Sequence, residues 1–134
     1  MRRNTILAGN FVAKAFVICL ITLSSATVLG QYAEFDFDKK VVKFDPAQEG
    51  FIFEHNFYFT NTGDAPLEVS SHEVECDCIQ LIYPEGPVGP GERGYINMTF
   101  DSSGKSGWQY REIVIHANTQ KKSAELELRV KVLN

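Results

Sequence analysis

Apolar and polar residues alternate along most of the chain after Gln31. From Phe51 to Phe59 the odd positions are Phe51, Phe53, His55, Phe57 and Phe59, and the even positions include Glu54 and Asn56. A period of two over this length predicts a half-buried strand, because successive side chains of a strand point to opposite faces. Leu126, Leu128, Val130 and Val132 alternate with Glu125, Glu127, Arg129 and Lys131 in the same way. Tyr95 to Asp101 puts Ile96, Met98 and Phe100 on one face, and Arg111 to Ala117 does so with Ile113, Ile115 and Ala117. Weaker strands are predicted over Ala33 to Asp36, Val41 to Phe44, Leu67 to Val74 and Ile79 to Tyr83. No segment of this region keeps the spacing of three and four that marks an amphipathic helix.

Turn chemistry separates the runs. Asn61-Thr62-Gly63-Asp64, Pro84-Glu85-Gly86-Pro87, Gly89-Pro90-Gly91-Glu92, Ser102 to Gly107 and Asn118-Thr119-Gln120 supply the residues that tolerate positive φ or preset it. Seven or eight short antiparallel strands at this spacing predict an all-β, immunoglobulin-like sandwich, with a small barrel as the alternative. The Cys…Trp…Cys pattern of antibody domains is absent.

The first thirty residues break the pattern. Arg2 and Arg3 open the chain, Phe11 to Leu29 is mostly apolar, and no acidic residue occurs before Glu34. A basic start, an apolar stretch and a small residue at its end describe a secretory signal peptide. We place it over residues 1–30, with cleavage after Gly30 and a domain over 31–134. The uninterrupted run Ala15 to Ile21 is shorter than the about 20 apolar residues a spanning helix needs, so no membrane span is expected after cleavage. The alternative is an uncleaved anchor running on to Gly30. Cys19 lies inside the apolar stretch, where lipid attachment is not expected.

Cleavage changes the charge. The whole chain of 134 residues carries a formal net charge of −4, from 13 Lys and Arg against 17 Asp and Glu. Removing Arg2, Arg3 and Lys14 leaves ten basic residues against the same 17, a charge of −7. Nucleic acid is therefore not an expected partner, since phosphate binding needs clustered Lys and Arg. An exported domain is expected to be periplasmic or secreted, where disulfides persist.

Several motifs resemble one bacterial family. They are Phe57-Tyr58-Phe59-Thr60-Asn61-Thr62-Gly63-Asp64-Ala65-Pro66-Leu67, then Cys76-Asp77-Cys78, Pro90-Gly91-Glu92-Arg93-Gly94, and Phe100-Asp101 followed by Gly104-Lys105-Ser106-Gly107. In this order, over roughly Val42 to Leu133, the chain is similar to domain of unknown function 1573, a family of exported domains of gram-negative bacteria. The resemblance implies an immunoglobulin-like sandwich, related in architecture to pilus-chaperone and sperm-protein-like domains, and implies no established activity. Family members usually carry Gly between the two cysteines and Thr after them, where this chain has Asp77 and Ile79.

Cys76 and Cys78 form the candidate chemical site. In a regular strand both would face one way with Cα atoms about 6.5 Å apart, so a bridge needs a local bend. Three readings stand: a disulfide formed on export, a buried inert thiol pair, and a soft-metal site for copper(I) or zinc. His72 shares their parity, but about 13 Å of strand separates it from Cys76. Glu73, Glu75 and Asp77 flank the pair, and their charge works against a reactive thiolate.

The remaining candidates read as structure. His55 is expected at the rim of the Phe face, and His116 in solvent. Trp108 and Tyr110 offer a binding surface, with packing against the end of the sandwich as the plainer expectation. Asn97-Met98-Thr99 matches a glycosylation acceptor on a strand, where it is expected to be silent. No hydrolase elbow, zinc-protease helix, phosphate loop or dinucleotide fingerprint occurs, and no cofactor is expected.

Two function classes follow. The first is an exported non-enzymatic module that binds or organises another cell-envelope component, because sandwiches expose strand edges. The alternative is a periplasmic thiol/disulfide or soft-metal-binding protein acting through Cys76 and Cys78.

Overall fold

The computed structural model describes residues 30–134, and the predicted signal peptide lies outside them but for Gly30. Nine strands form two sheets: β1 (Phe35–Phe37), β2 (Val41–Lys43), β3 (Ala47–Gln48), β4 (Ile52–Asn61), β5 (Val69–Val74), β6 (Ile79–Ile82), β7 (Arg93–Asp101), β8 (Gly107–Ala117) and β9 (Ser123–Leu133). One sheet has the order β1-β4-β7-β6, and the other runs β2-β9-β8-β5 with β3 also on β9. The fold is the all-β sandwich that the alternation predicts.

The core lies between the sheets. Phe53, Phe57, Phe59, Ile96, Met98 and Phe100 face inward from one sheet. Ile113, Ile115, Leu126, Leu128, Val130 and Val132 meet them from the other. Each set is the apolar half of an alternating run, so burial fixes the register. A slip by one residue would turn Phe57 and Phe59 to solvent and Glu54 and Asn56 inward. The inward row of β4 begins at Phe53, not Phe51: Phe51 precedes the strand and stays exposed, with its ring 4.8 Å from that of Phe53.

Two differences from the expected strands have local causes. All pairings in the four-stranded sheet are antiparallel, but β2 and β3 lie parallel to β9. After β1 the chain crosses to the other sheet and runs alongside β9 in the same direction. Between β2 and β3 stands Pro46, which has no N–H to give a ladder. β8 begins at Gly107, four residues before Arg111. Its first turn of alternation is inverted, with Trp108 and Tyr110 exposed outward and Gln109 buried inward. Gln109 is satisfied there: its amide donates to the Ser106 carbonyl at 2.9 Å and its oxygen accepts from Arg111 at 2.7 Å. The aromatic pair therefore stands on the outer face of a sheet, not against the end of the sandwich.

Candidate functional site

Cys76 and Cys78 lie in the bend between β5 and β6. β5 is an edge of one sheet and β6 an edge of the other, so the pair sits where the chain crosses the open side of the sandwich. The two sulfurs are joined, and the Cα atoms are 5.1 Å apart, closer than a regular strand would hold them. The Ile79 N–H donates to the Cys76 carbonyl at 3.3 Å, and the Cys78 carbonyl accepts from Asp101 N–H at 2.9 Å. Both side chains are half-buried and touch the core.

The histidines stay apart from the pair. His72 lies edge-on to Tyr83 with centroids 5.7 Å apart, and its buried Nδ1 has no hydrogen-bond partner among the described residues. His116 is half-exposed and meets Glu73 at 2.9 Å, rather than standing free in solvent. His55 sits at the rim, its ring edge-on to Phe57 at 4.7 Å and to Phe44 at 6.3 Å. Burial, then the Lys39 charge, push its pKa below the ordinary value of 6.5. Among the described residues no group of three His, Cys, Asp or Glu is placed to hold a metal ion. The carboxylates beside the cysteines are also answered in part, since Arg111 reaches Glu75 at 3.5 Å and His116 holds Glu73.

A second region was not legible as a site. On the outer face of the four-stranded sheet Tyr58 and Tyr95 are direct cross-strand partners, with ring centroids 5.7 Å apart. Arg93 lies over the Tyr58 ring at 5.5 Å and holds Asp38 through both carboxylate oxygens, at 2.7 and 3.2 Å. Hydrogen bonding to Arg93 holds the Asp38 carboxyl below the usual carboxylate value. Beside Tyr95 the edge strand β6 ends in Ile82, which is 69% exposed. Ile82, Tyr83, Pro84, Val88, Gly94 and Tyr95 line a mainly apolar hollow of about 330 Å³. Gly94 lets the buried Phe59 ring pack against its backbone, since a Cβ there would come within 2.7 Å of that ring. Asn97 is tied to Glu54 and Asn56 at 2.9 and 2.7 Å on the same face.

The sequence signal for this region was present but divided. Tyr58 and Tyr95 each occupy the polar half of an alternating run, and only the β4–β7 register brings them together.

Two facing sheets with open edges define a sandwich domain of immunoglobulin-like type. The model for proteins of unknown function, DUF1573, matches residues 35–132, and the chain belongs to that family. Among solved structures the chain is similar to a protein of unknown function from Porphyromonas gingivalis W83, at 14% identity and a TM-score of 0.65, covering 75% of this chain and 47% of that one. It is similar to the PapD-like domain 7 of human CEP192 at 11% identity and a TM-score of 0.57, covering 77% and 87%. It is also similar to the secreted serine protease VesC of Vibrio cholerae at 15% identity and a TM-score of 0.56, covering 75% and 23%. The chain thus spans less than half the length of the P. gingivalis and V. cholerae proteins. No curated protein matches it.

Proposed function

We propose that the chain is an exported, non-enzymatic sandwich module that docks another protein of the cell envelope through the Tyr58–Tyr95–Ile82 face. The observation that carries this reading is the apolar hollow beside an open strand edge. Among the described residues β6 has a neighbour on one side only, so its other side offers backbone groups to an extended partner segment. The hollow next to it can take one apolar side chain of that segment. Tyr and Arg, which dominate the face, are the residue types enriched where binding energy concentrates. Export rests on the predicted leader, and places the module in the periplasm or outside the cell.

Site-specific photocrosslinking from Tyr95 in cells tests this, followed by reconstitution with the purified partner. The expected result is a discrete adduct from Tyr95 and none from Val114 on the opposite sheet. Ile82→Glu should weaken the reconstituted complex at least tenfold without altering the melting temperature. Equal adducts from both positions, or none, would remove the docking face.

The second reading is a labile disulfide at Cys76–Cys78, favoured by its half-buried place on the crossover. An envelope dithiol protein would reduce it by exchange, giving two thiols here and a disulfide on the reductant. Trapping a mixed disulfide with such a protein supports it. Unchanged growth and unchanged partner binding in the Cys76→Ser, Cys78→Ser double variant would sink it.

A further inference from the structure

The outer face of the five-stranded sheet is polarised. The β2–β9–β8 register sets Lys43, Arg129 and Tyr110 in one row, and Lys131 beside Trp108 in the next. Directly beside the Tyr110 row, on its other side, Glu112 faces Glu127, and in the row after that Glu125 faces Val114. One end is thus aromatic and cationic, and the neighbouring rows carry the acidic residues. Trp108 and Tyr110 are half-exposed, their ring centroids are 5.9 Å apart, and their planes lie within 20° of parallel. Arg129 is held by Glu127 at 2.6 and 3.0 Å. Lys43 and Lys131 are exposed and meet no carboxylate among the described residues.

We infer that this end of the sheet is a binding site for an acidic saccharide chain. A pyranose has an apolar C–H face and a rim of hydroxyls. The C–H face carries slight positive charge and suits the negative face of an aromatic ring. A carboxylate or sulfate on the sugar then meets Lys43 and Lys131, which supply charge complementarity on a chain that is acidic as a whole. A peptide strand would add at the free edge of β8 from Gly107 to Glu112, beside this face rather than across it, because β5 pairs with β8 only from Ile113 onward. An anionic bilayer fits poorly, since a flat surface laid on this face would also press against Glu112 and Glu125. A linear chain crossing only the aromatic end avoids them. The site is separate from the Tyr58–Tyr95 face and rests on the export reading only for its access to envelope sugars.

Trp108 is the only tryptophan of the chain, so its fluorescence reports the site without a label. The full chain, with its disulfide intact, is titrated with polygalacturonate, alginate and heparin. Dextran, oligo-dT and phosphatidylglycerol vesicles serve as comparisons. The expected result is a saturable fluorescence change with at least one acidic polysaccharide and none with dextran. Tyr110→Ala should weaken binding at least tenfold and Lys131→Ala about threefold, while Val114→Thr leaves it unchanged; binding of Tyr110→Ala is read by calorimetry as well. No response to any of the three acidic polymers overturns the inference. So does an equal response to dextran, a stronger one to oligo-dT or vesicles, or loss with Lys131→Ala but not with Tyr110→Ala, which marks simple ion exchange. Crosslinking from Tyr95 is independent of every one of these outcomes, so the docking face can fail or stand separately.

Discussion

Two corners of the sandwich solve the same problem by opposite means. At the end of β4, Asn61 is fully buried and uses its whole amide. It donates to the carbonyls of Ala65 at 2.7 Å and Val88 at 2.9 Å, and accepts from the N–H groups of Glu34 at 3.2 Å and Gly63 at 3.0 Å. Its backbone adds two more bonds, accepting from Gly91 at 2.7 Å and donating to Glu92 at 3.0 Å. At the crossover between β5 and β6, Cys76 and Cys78 are half-buried, and the bend is closed by a covalent bond. The first corner has enough buried volume around it to hold a saturated polar network. The second lies on the open side, where fewer contacts are available. Low dielectric makes a saturated network strong and a broken one costly, whereas a bridge over so few residues adds little chain-entropy stabilisation.

Asn61→Ala should therefore be the most damaging change at either corner. It takes the Asn61 partner from the Ala65 carbonyl and from the Glu34 and Gly63 N–H groups, at about 1–3 kcal/mol for each group that finds no water, while the Val88 carbonyl keeps the Leu67 N–H at 2.9 Å. With partial rescue by solvent, we expect a loss of about 3–5 kcal/mol in urea unfolding. A loss below that of the double cysteine variant would reverse the comparison. Gly63→Ala comes next. A Cβ at Gly63 would fall 2.2 Å from the Tyr32 carbonyl oxygen and 2.7 Å from the Ala33 Cα. Because the obstacle is backbone, the N-terminal segment must move, and the cost should be about 1–3 kcal/mol. Hydrogen exchange should accelerate at Asp64, whose N–H donates to the Tyr32 carbonyl at 2.9 Å. Unchanged protection there would mean that the approach of the two segments does not hold the corner.

The sandwich was readable because its inward rows are uniformly apolar: Leu126 to Val132 shows its buried face without any tertiary knowledge. Reading failed where the inward row is polar. Gln109 and Arg111 point the same way as Ile113, yet their chemistry hides the first residues of β8, so the alternation is legible only from Arg111 and Trp108 and Tyr110 read as packing against the end of the sandwich. Asn61 shows the same effect. It has the parity of Phe57 and Phe59, which marks an inward position, but its residue type suggests only a turn. The cysteine pair was legible as chemistry from its spacing, and the need for a bend followed from strand geometry. That the bend lies between the edges of two different sheets is a fact of topology, and no local pattern encodes it. The tyrosine face and the polarised strip likewise exist only through register, which joins residues 37 and 23 positions apart, as in Tyr58 with Tyr95 and Trp108 with Lys131.

Replacing both cysteines by serine sharpens the contrast from the other side. Closing so short a loop is worth about 1.5 kcal/mol in the chain-entropy model, so the double variant should lose about 1–2 kcal/mol and keep its fold. Urea unfolding of the oxidised wild type and the variant measures this directly. A loss above about 3 kcal/mol would mean that the crossover depends on its staple as heavily as the opposite corner depends on Asn61.

The smallest effect is one of pH, and it belongs to neither corner, because neither an amide nor a disulfide titrates near neutrality. His55, at the rim between Phe44, Phe57 and the Lys39 charge, has its pKa lowered from 6.5 by burial first and by Lys39 second. The unfolded chain therefore binds a proton on His55 more readily than the folded one. Stability from this residue is fully present above about pH 7.5 and declines as pH falls through 6.5 toward the lower folded value. The carboxylates of Asp38, Asp101 and Glu127 are lowered as well, but their contributions begin to fade only as pH falls below about 5. The melting temperature should thus drop slightly between pH 7.5 and 5.5, and His55→Gln should flatten that slope. Asn61→Ala and the double cysteine variant should leave the slope intact while shifting the whole curve downward. A slope that persists in His55→Gln would assign the proton to another group.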